Sequence, residues 1–120
     1  MAPRGTPATP VPGTSVRGSR TGRPVMALLD LLGRRWALRV LWELRDGSAL
    51  TFRELQHRSG DVSSSVLNDR LRELRDARIV AVAPGGGYHL TADGHELLAV
   101  LGPLDAWAKG WRRRLGQATG

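Results

Sequence analysis

The chain has 120 residues, a formal net charge of +7 and a pI near 11.5, and 17 of its 18 basic residues are arginine. That is one domain's worth of chain, with a basic excess that suits a polyanionic partner such as nucleic acid. The absence of cysteine excludes disulfides, thiol redox sensing, cysteine nucleophiles and cysteine-ligated zinc.

Residues 1–23 are rich in Pro, Gly, Thr, Ser and Arg, and Pro3, Pro7, Pro10 and Pro12 forbid a continuous helix. Arg4, Arg17, Arg20 and Arg23 have no acidic neighbour before Asp30. This composition predicts a disordered basic arm, either inert or in contact with DNA. No apolar stretch of signal-peptide or membrane-spanning length occurs, so the expected location is the cytoplasm, with no membrane partner.

Pro24 suits a first helical turn, and Val25, Leu28, Leu29, Leu31 and Leu32 follow before Gly33 stops the helix. A second helix is predicted from about residue 35 to 45, with Ala37, Val40, Leu41 and Leu44 on one stripe. Asp46-Gly47-Ser48 makes a turn. Thr51-Phe52-Arg53-Glu54 then fits a capping box, opening a short helix over 52–58 with Phe52 and Leu55 inward.

Ser59-Gly60-Asp61 is the next turn, and Ser63 is placed to cap a helix from Ser64 to about Ala77. Leu67, Leu71 and Leu74 form its buried stripe, whereas Ser65, Asn68, Asp69, Arg72 and Asp76 point the other way at 100° per residue. Two short helices across a tight Gly-containing turn, the second with a small polar N-terminal half, describe a helix-turn-helix. Ile79–Val82 and Tyr88–Leu90 are β-prone and flank the turn Pro84-Gly85-Gly86-Gly87. A hairpin directly after a recognition-type helix is a wing.

Thr91 caps a final helix with Asp93 in its first turn. Leu97, Leu101, Leu104, Ala108, Trp111 and Leu115 recur at the seam spacing of packed helices, widened by Leu98 and Trp107. A small domain has little core left to cover this stripe, so a second subunit is the expected cover. Gly102-Pro103 is expected to bend or break the helix near its middle. The domain reading is an arm over 1–23, a winged helix-turn-helix over 24–91, a dimerisation helix over 92–116 and a tail over 117–120. The fold class is therefore mainly α with a small β-hairpin wing, dimerising through terminal helices.

Four motifs in order carry a family resemblance. They are Pro24-Val25 with Leu28–Gly33, Arg35-Trp36 and Leu41–Leu44; Phe52–Leu55; Val62-Ser63 with Val66-Leu67, Arg70–Leu74 and Ile79-Val80; and Tyr88–Gly94 followed by Leu97, Leu101, Leu104 and Trp107. Together they resemble the HxlR-type winged helix-turn-helix regulators. The resemblance implies a homodimer that binds operator DNA and acts on nearby genes. The chain departs from that pattern at Arg23, where many members have a cysteine, and at Arg34 and Arg78, where glycines are common. It also departs in a short wing without Lys or Arg.

The expected DNA-binding residues are Arg53, Ser64, Ser65, Asn68, Asp69, Arg70, Arg72, Gly86 and Tyr88, with Ser65, Asn68 and Arg72 at the bases and Arg53, Ser64 and Arg70 at phosphates. Asn pairs bidentately with adenine and Arg with guanine, and Asp69 can accept from a cytosine amino group. The expected dimer interface holds Leu97, Leu101, Leu104, Trp107 and Trp111. The four tryptophans fit core and dimer interface, or alternatively a pocket for a small-molecule effector. No cofactor is expected. An enzyme is not, because His57, His89 and His95 lack metal-site spacing and Gly85-Gly86-Gly87 lacks the Lys and helix of a phosphate loop. The alternative from another class is a winged-helix protein-interaction module, favoured by the carboxylates of Asp69 and Asp76 on the exposed face.

Overall fold

In a computed structural model, which describes residues 9–118, five helices and one hairpin follow one another. They are α1 (Pro24–Leu32), α2 (Ala37–Glu43), α3 (Phe52–Arg58), α4 (Ser64–Asp76), β1 (Val80–Val82), β2 (Tyr88–Leu90) and α5 (Ala92–Ala118). α2 lies at the centre, packed by α1, α3, α4 and α5. Val40, Leu41 and Leu44 at or beside α2 meet Leu55 of α3 and Leu67, Leu71 and Leu74 of α4, all essentially without solvent exposure. Burying each such leucine contributes about 2 kcal/mol, so the stripes read from the sequence are the core.

The hairpin is antiparallel, pairing Val80 with Leu90, Ala81 with His89 and Val82 with Tyr88. Leu50 adds a third edge, its N–H donating to the Tyr88 carbonyl at 2.9 Å and its carbonyl accepting from Tyr88 at 2.7 Å. The segment before α3 is thereby tied to the hairpin after α4, which holds the two-helix unit between them. α5 starts tightly against the hairpin. A Cβ at Gly94 would stand 2.3 Å from the Ile79 carbonyl oxygen, so only glycine permits this approach.

Three features differ from the sequence expectations. First, the chain from residue 9 onward does not form a disordered arm; residues 1–8 of that predicted arm lie outside the described residues. The Gly13 N–H donates to the Gly22 carbonyl at 3.0 Å, and Val16 and Ser19 exchange hydrogen bonds at 2.9 and 3.0 Å. Pro10 is buried, and Pro10, Val11 and Pro12 line a crevice with Ala27, Leu31 and Ile79. Thr9 donates to Asp76 at 2.7 Å and the Arg17 N–H to Asp30 at 3.1 Å. The residues that forbid a helix here are those that make tight turns and apolar patches.

Second, α2 begins at Ala37 rather than near residue 35, because Trp36 takes a left-handed backbone with φ of 74°. Third, α5 runs unbroken through Gly102-Pro103 and continues to Ala118. The proline removes one N–H donor, but both Pro103 and Ala99 are exposed, so water can serve the freed carbonyl there.

Candidate nucleic-acid interface

The α3–α4 unit is built from local hydrogen bonds. The Glu54 N–H donates to Thr51 Oγ1 at 3.1 Å, and the Thr51 N–H donates to Glu54 Oε1 at 3.0 Å, completing the capping box. The bond from the Thr51 backbone N–H, with the Thr51 hydroxyl and Arg58 nearby, holds the Glu54 carboxyl below its ordinary range. α3 ends in a Schellman turn, with the Gly60 N–H on the His57 carbonyl and the Asp61 N–H on that of Gln56. The Gln56 amide then spans the turn, donating to the Val62 carbonyl at 2.8 Å and to Ser64 Oγ at 3.1 Å. Ser63 accepts the Val66 N–H and caps α4.

α4 is thus fixed at its start and buried along Leu67, Leu71 and Leu74, and it turns Ser65, Asn68 and Asp69 to solvent. Arg72 is 36% exposed and stands 3.7 Å from Asp69. Ser64 and Arg53 are exposed too, although the Ser64 hydroxyl is engaged by Gln56. Asn68, Arg72 and Tyr88 line one cleft between α4 and the hairpin. Gly86, exposed at the hairpin tip with φ of 97°, occupies a conformation that favours glycine.

Arg70 departs from its expected role at a phosphate. Its side chain is only 16% exposed, with Nε 2.8 Å from Glu73 Oε1 and Nη1 donating to the Arg35 carbonyl at 3.4 Å. The Glu73 contact is a close charge pair rather than an aligned hydrogen bond. Glu73 itself is 1% exposed and is also paired with Arg34 from the α1–α2 turn. The buried carboxylate thus holds Arg70 as well as Arg34, since an ionised group in the interior is stable only when its charge is well paired.

Two arginines outside the expected DNA-binding set line the same cleft, Arg75 and Arg78. Both are exposed. Arg75 was legible in principle, since seven residues beyond Asn68 return to within about 20° of it on a helix. Arg78 had no periodic signal, because it lies beyond the helix end and reaches the cleft through the backbone turn there.

The apolar seam also differs in part. Leu97 and Leu101 are half-buried against the chain's own core, which leaves only part of each side chain for a partner. Leu104, Trp107 and Trp111 are exposed, as are Val100 and Leu115 on the same helix. Trp107 and Trp111 stack with centroids 5.7 Å apart. Leu38 and Trp42 of α2 extend this surface, sharing a groove with Leu98, Leu104 and Ala108. No described helix is long and apolar enough to cross a membrane.

The HxlR-like helix-turn-helix family model matches residues 31–115. The uncharacterised HTH-type transcriptional regulator YvaP of Bacillus subtilis is 33% identical over 89 residues, which is 69% of this chain and 82% of that protein. The crystal structure of quinone-bound YodB from B. subtilis is similar with a TM-score of 0.66 and 31% identity, covering 72% of this chain and 94% of that one. A structure described as a possible HxlR family transcriptional factor from Thermoplasma volcanium has a TM-score of 0.64 and 27% identity, covering 75% and 85%. The chain therefore belongs to the HxlR-like helix-turn-helix family of transcriptional regulators, a family of regulators rather than enzymes.

Proposed function

We propose that the protein binds double-stranded DNA sequence-specifically as a cytoplasmic homodimer on an inverted-repeat operator. Residues 24–91 form the DNA-binding part and α5, the dimerisation helix predicted over 92–116, joins the subunits. The observation that carries this reading is the presentation of Asn68 and Arg72. They stand one turn apart on the open face of α4, while its opposite face is immobilised in the core. Such a helix can enter the major groove without losing its packing. Asn68 pairs with adenine and Arg72 with guanine, each contributing about 1–3 kcal/mol of discrimination. Ser65, Asp69 and the Ser64 hydroxyl flank them at base edges and backbone. Arg53 contacts phosphate from α3, and Gly86 and Tyr88 approach the backbone from the hairpin. Arg70 drops out of this set.

The dimer rests on Leu104, Trp107, Trp111 and Leu115, which a soluble monomer would leave wet. Two reading helices then enter successive major grooves about one helical turn apart, which makes the operator an inverted repeat. A small-molecule effector, if the regulator takes one, acts without a thiol: YodB was crystallised with quinone, but this chain has no cysteine for a quinone to alkylate.

The test is selection of bound fragments from the source genome, followed by binding of Asn68→Ala and Arg72→Ala to the selected operator and to random duplex. Both variants should narrow the operator-to-random ratio, Arg72→Ala at one base position per half-site. Unchanged ratios in folded variants refute α4 as the reader. The second reading, a protein-interaction module, rests on the exposed Asp69 carboxylate, which repels phosphate. It gains if the wild-type protein retains no DNA at all.

A further inference from the structure

Arg78 stands in the left-handed region, with φ of 60°. It follows the C-cap of α4, Ala77, and completes a Schellman turn: its own N–H donates to the Arg75 carbonyl and the Ile79 N–H to the Leu74 carbonyl, both at 2.9 Å. This is the position that glycine fills without steric cost, and a side chain there crowds its own carbonyl. The Arg78 carbonyl is held from outside by the Thr91 hydroxyl at 2.7 Å. Thr91 also caps α5 by accepting the Gly94 N–H. The turn is therefore fixed by its neighbours, and the arginine must accept it.

Nothing in the fold rewards this side chain. Arg78 is exposed, and among the described residues its guanidinium has no ion pair or hydrogen-bond partner. It does line the cleft between α4 and the hairpin, with Arg72 and Arg75 and a single carboxylate, Asp76. That carboxylate is already engaged by Thr9. The hairpin turn, residues 83–87, bears no charge, so the tip offers only backbone groups to a nucleic-acid strand. A residue in a strained backbone conformation whose side chain has no polar partner in the fold points to a function for that side chain.

We propose that Arg78 is a phosphate-contacting residue, supplying from the base of the hairpin the positive charge that the hairpin tip lacks, and that its left-handed backbone is tolerated to keep that charge in the cleft. This rests on the DNA-binding reading above. Its place beyond the C-terminal end of α4 puts Arg78 beside the backbone of the duplex rather than at base edges, so it adds affinity without sequence preference.

The experiment compares the full-length protein with Arg78→Gly, Arg78→Asn and Arg78→Lys, by thermal melting and by anisotropy titration of operator and random duplex between 50 and 200 mM salt. Gly and Asn both relieve the turn and remove the charge; Lys keeps the charge and the strain. Expected is a Tm raised by about 3 °C for Gly and by less for Asn. Both should lose about 0.9 from the salt slope per bound subunit, so that their deficit shrinks roughly 3.5-fold per subunit across that salt range. The deficit should be equal on operator and random duplex, and Lys should restore the slope without raising Tm. An unchanged slope for Gly and Asn, with the wild type binding normally, overturns the proposal and leaves the DNA-binding reading intact. So does a Lys variant as impaired as Gly. A lower Tm for Gly refutes the strain argument. A wild-type protein that binds neither duplex at 50 mM salt removes the DNA-binding reading itself.

Discussion

Glu73 is the residue whose replacement tests the architecture most directly. Its carboxylate is 1% exposed and faces two guanidiniums, Arg34 from the α1–α2 turn and Arg70 from its own helix, themselves 21% and 16% exposed. Glu73→Ala removes the shared counter-charge and leaves two positive groups facing each other with little water. Stranding a partner of a buried pair costs about 3–5 kcal/mol. Both arginines retain some solvent, so the lower end, about 3 kcal/mol, is the expectation. With a urea m-value of about 1.5 kcal/mol/M for a chain of this size, the unfolding midpoint should fall by about 2 M with m unchanged. Glu73→Gln should lose less, because the amide keeps the volume and one acceptor. It should also release Arg70, whose freed charge would add about 0.9 per subunit to the salt slope of DNA binding. A Glu73→Ala midpoint within about 0.5 M of wild type would show that the two arginines find water instead, and that the carboxylate does not clamp the turn to the reading helix.

Changing Leu104 and Trp111 together to Glu should turn a sedimenting dimer into a monomer with its helical circular dichroism intact, whereas a wild-type chain that is monomeric at micromolar concentration refutes the seam. Replacing Arg4, Arg17, Arg20 and Arg23 by Ala should flatten the salt slope by about 3.6 per bound subunit if all four engage phosphate, and by less if only some do; an unchanged slope makes the N-terminal residues inert toward it. Thr51→Ala removes the cap of α3 and should cost about 1 kcal/mol in urea unfolding at pH 7. Because folding lowers the Glu54 pKa below its usual 4.5, its contribution is present above that value and lost as pH falls through the folded value. The deficit of Thr51→Ala should therefore shrink on acidification, and a deficit independent of pH would refute the coupling.

What was legible in the sequence was whatever depends on near neighbours. Thr51 and Glu54 announce a helix start because the bonds they make span three residues, and Leu67, Leu71 and Leu74 announce a buried face because helical geometry alone aligns them. What was hidden depends on distant partners. Arg70 and Arg72 are two positions apart on one helix and are chemically identical, yet only Arg72 faces solvent. The difference is made by Glu73 together with Arg34, 39 residues upstream of that carboxylate, which no local pattern connects to it. The same holds along α5, where Leu97 and Leu104 share one seven-residue repeat. The first leucine is half-buried against the chain's own core, whereas the second is 60% exposed. Periodicity reports that a face will be covered; it carries no information about which molecule covers it. That is why the buried and open faces of α4 could be assigned from its own residues, whereas the residues that supply its counter-charges and the exposed apolar surface of α5 became identifiable only when the elements were placed together.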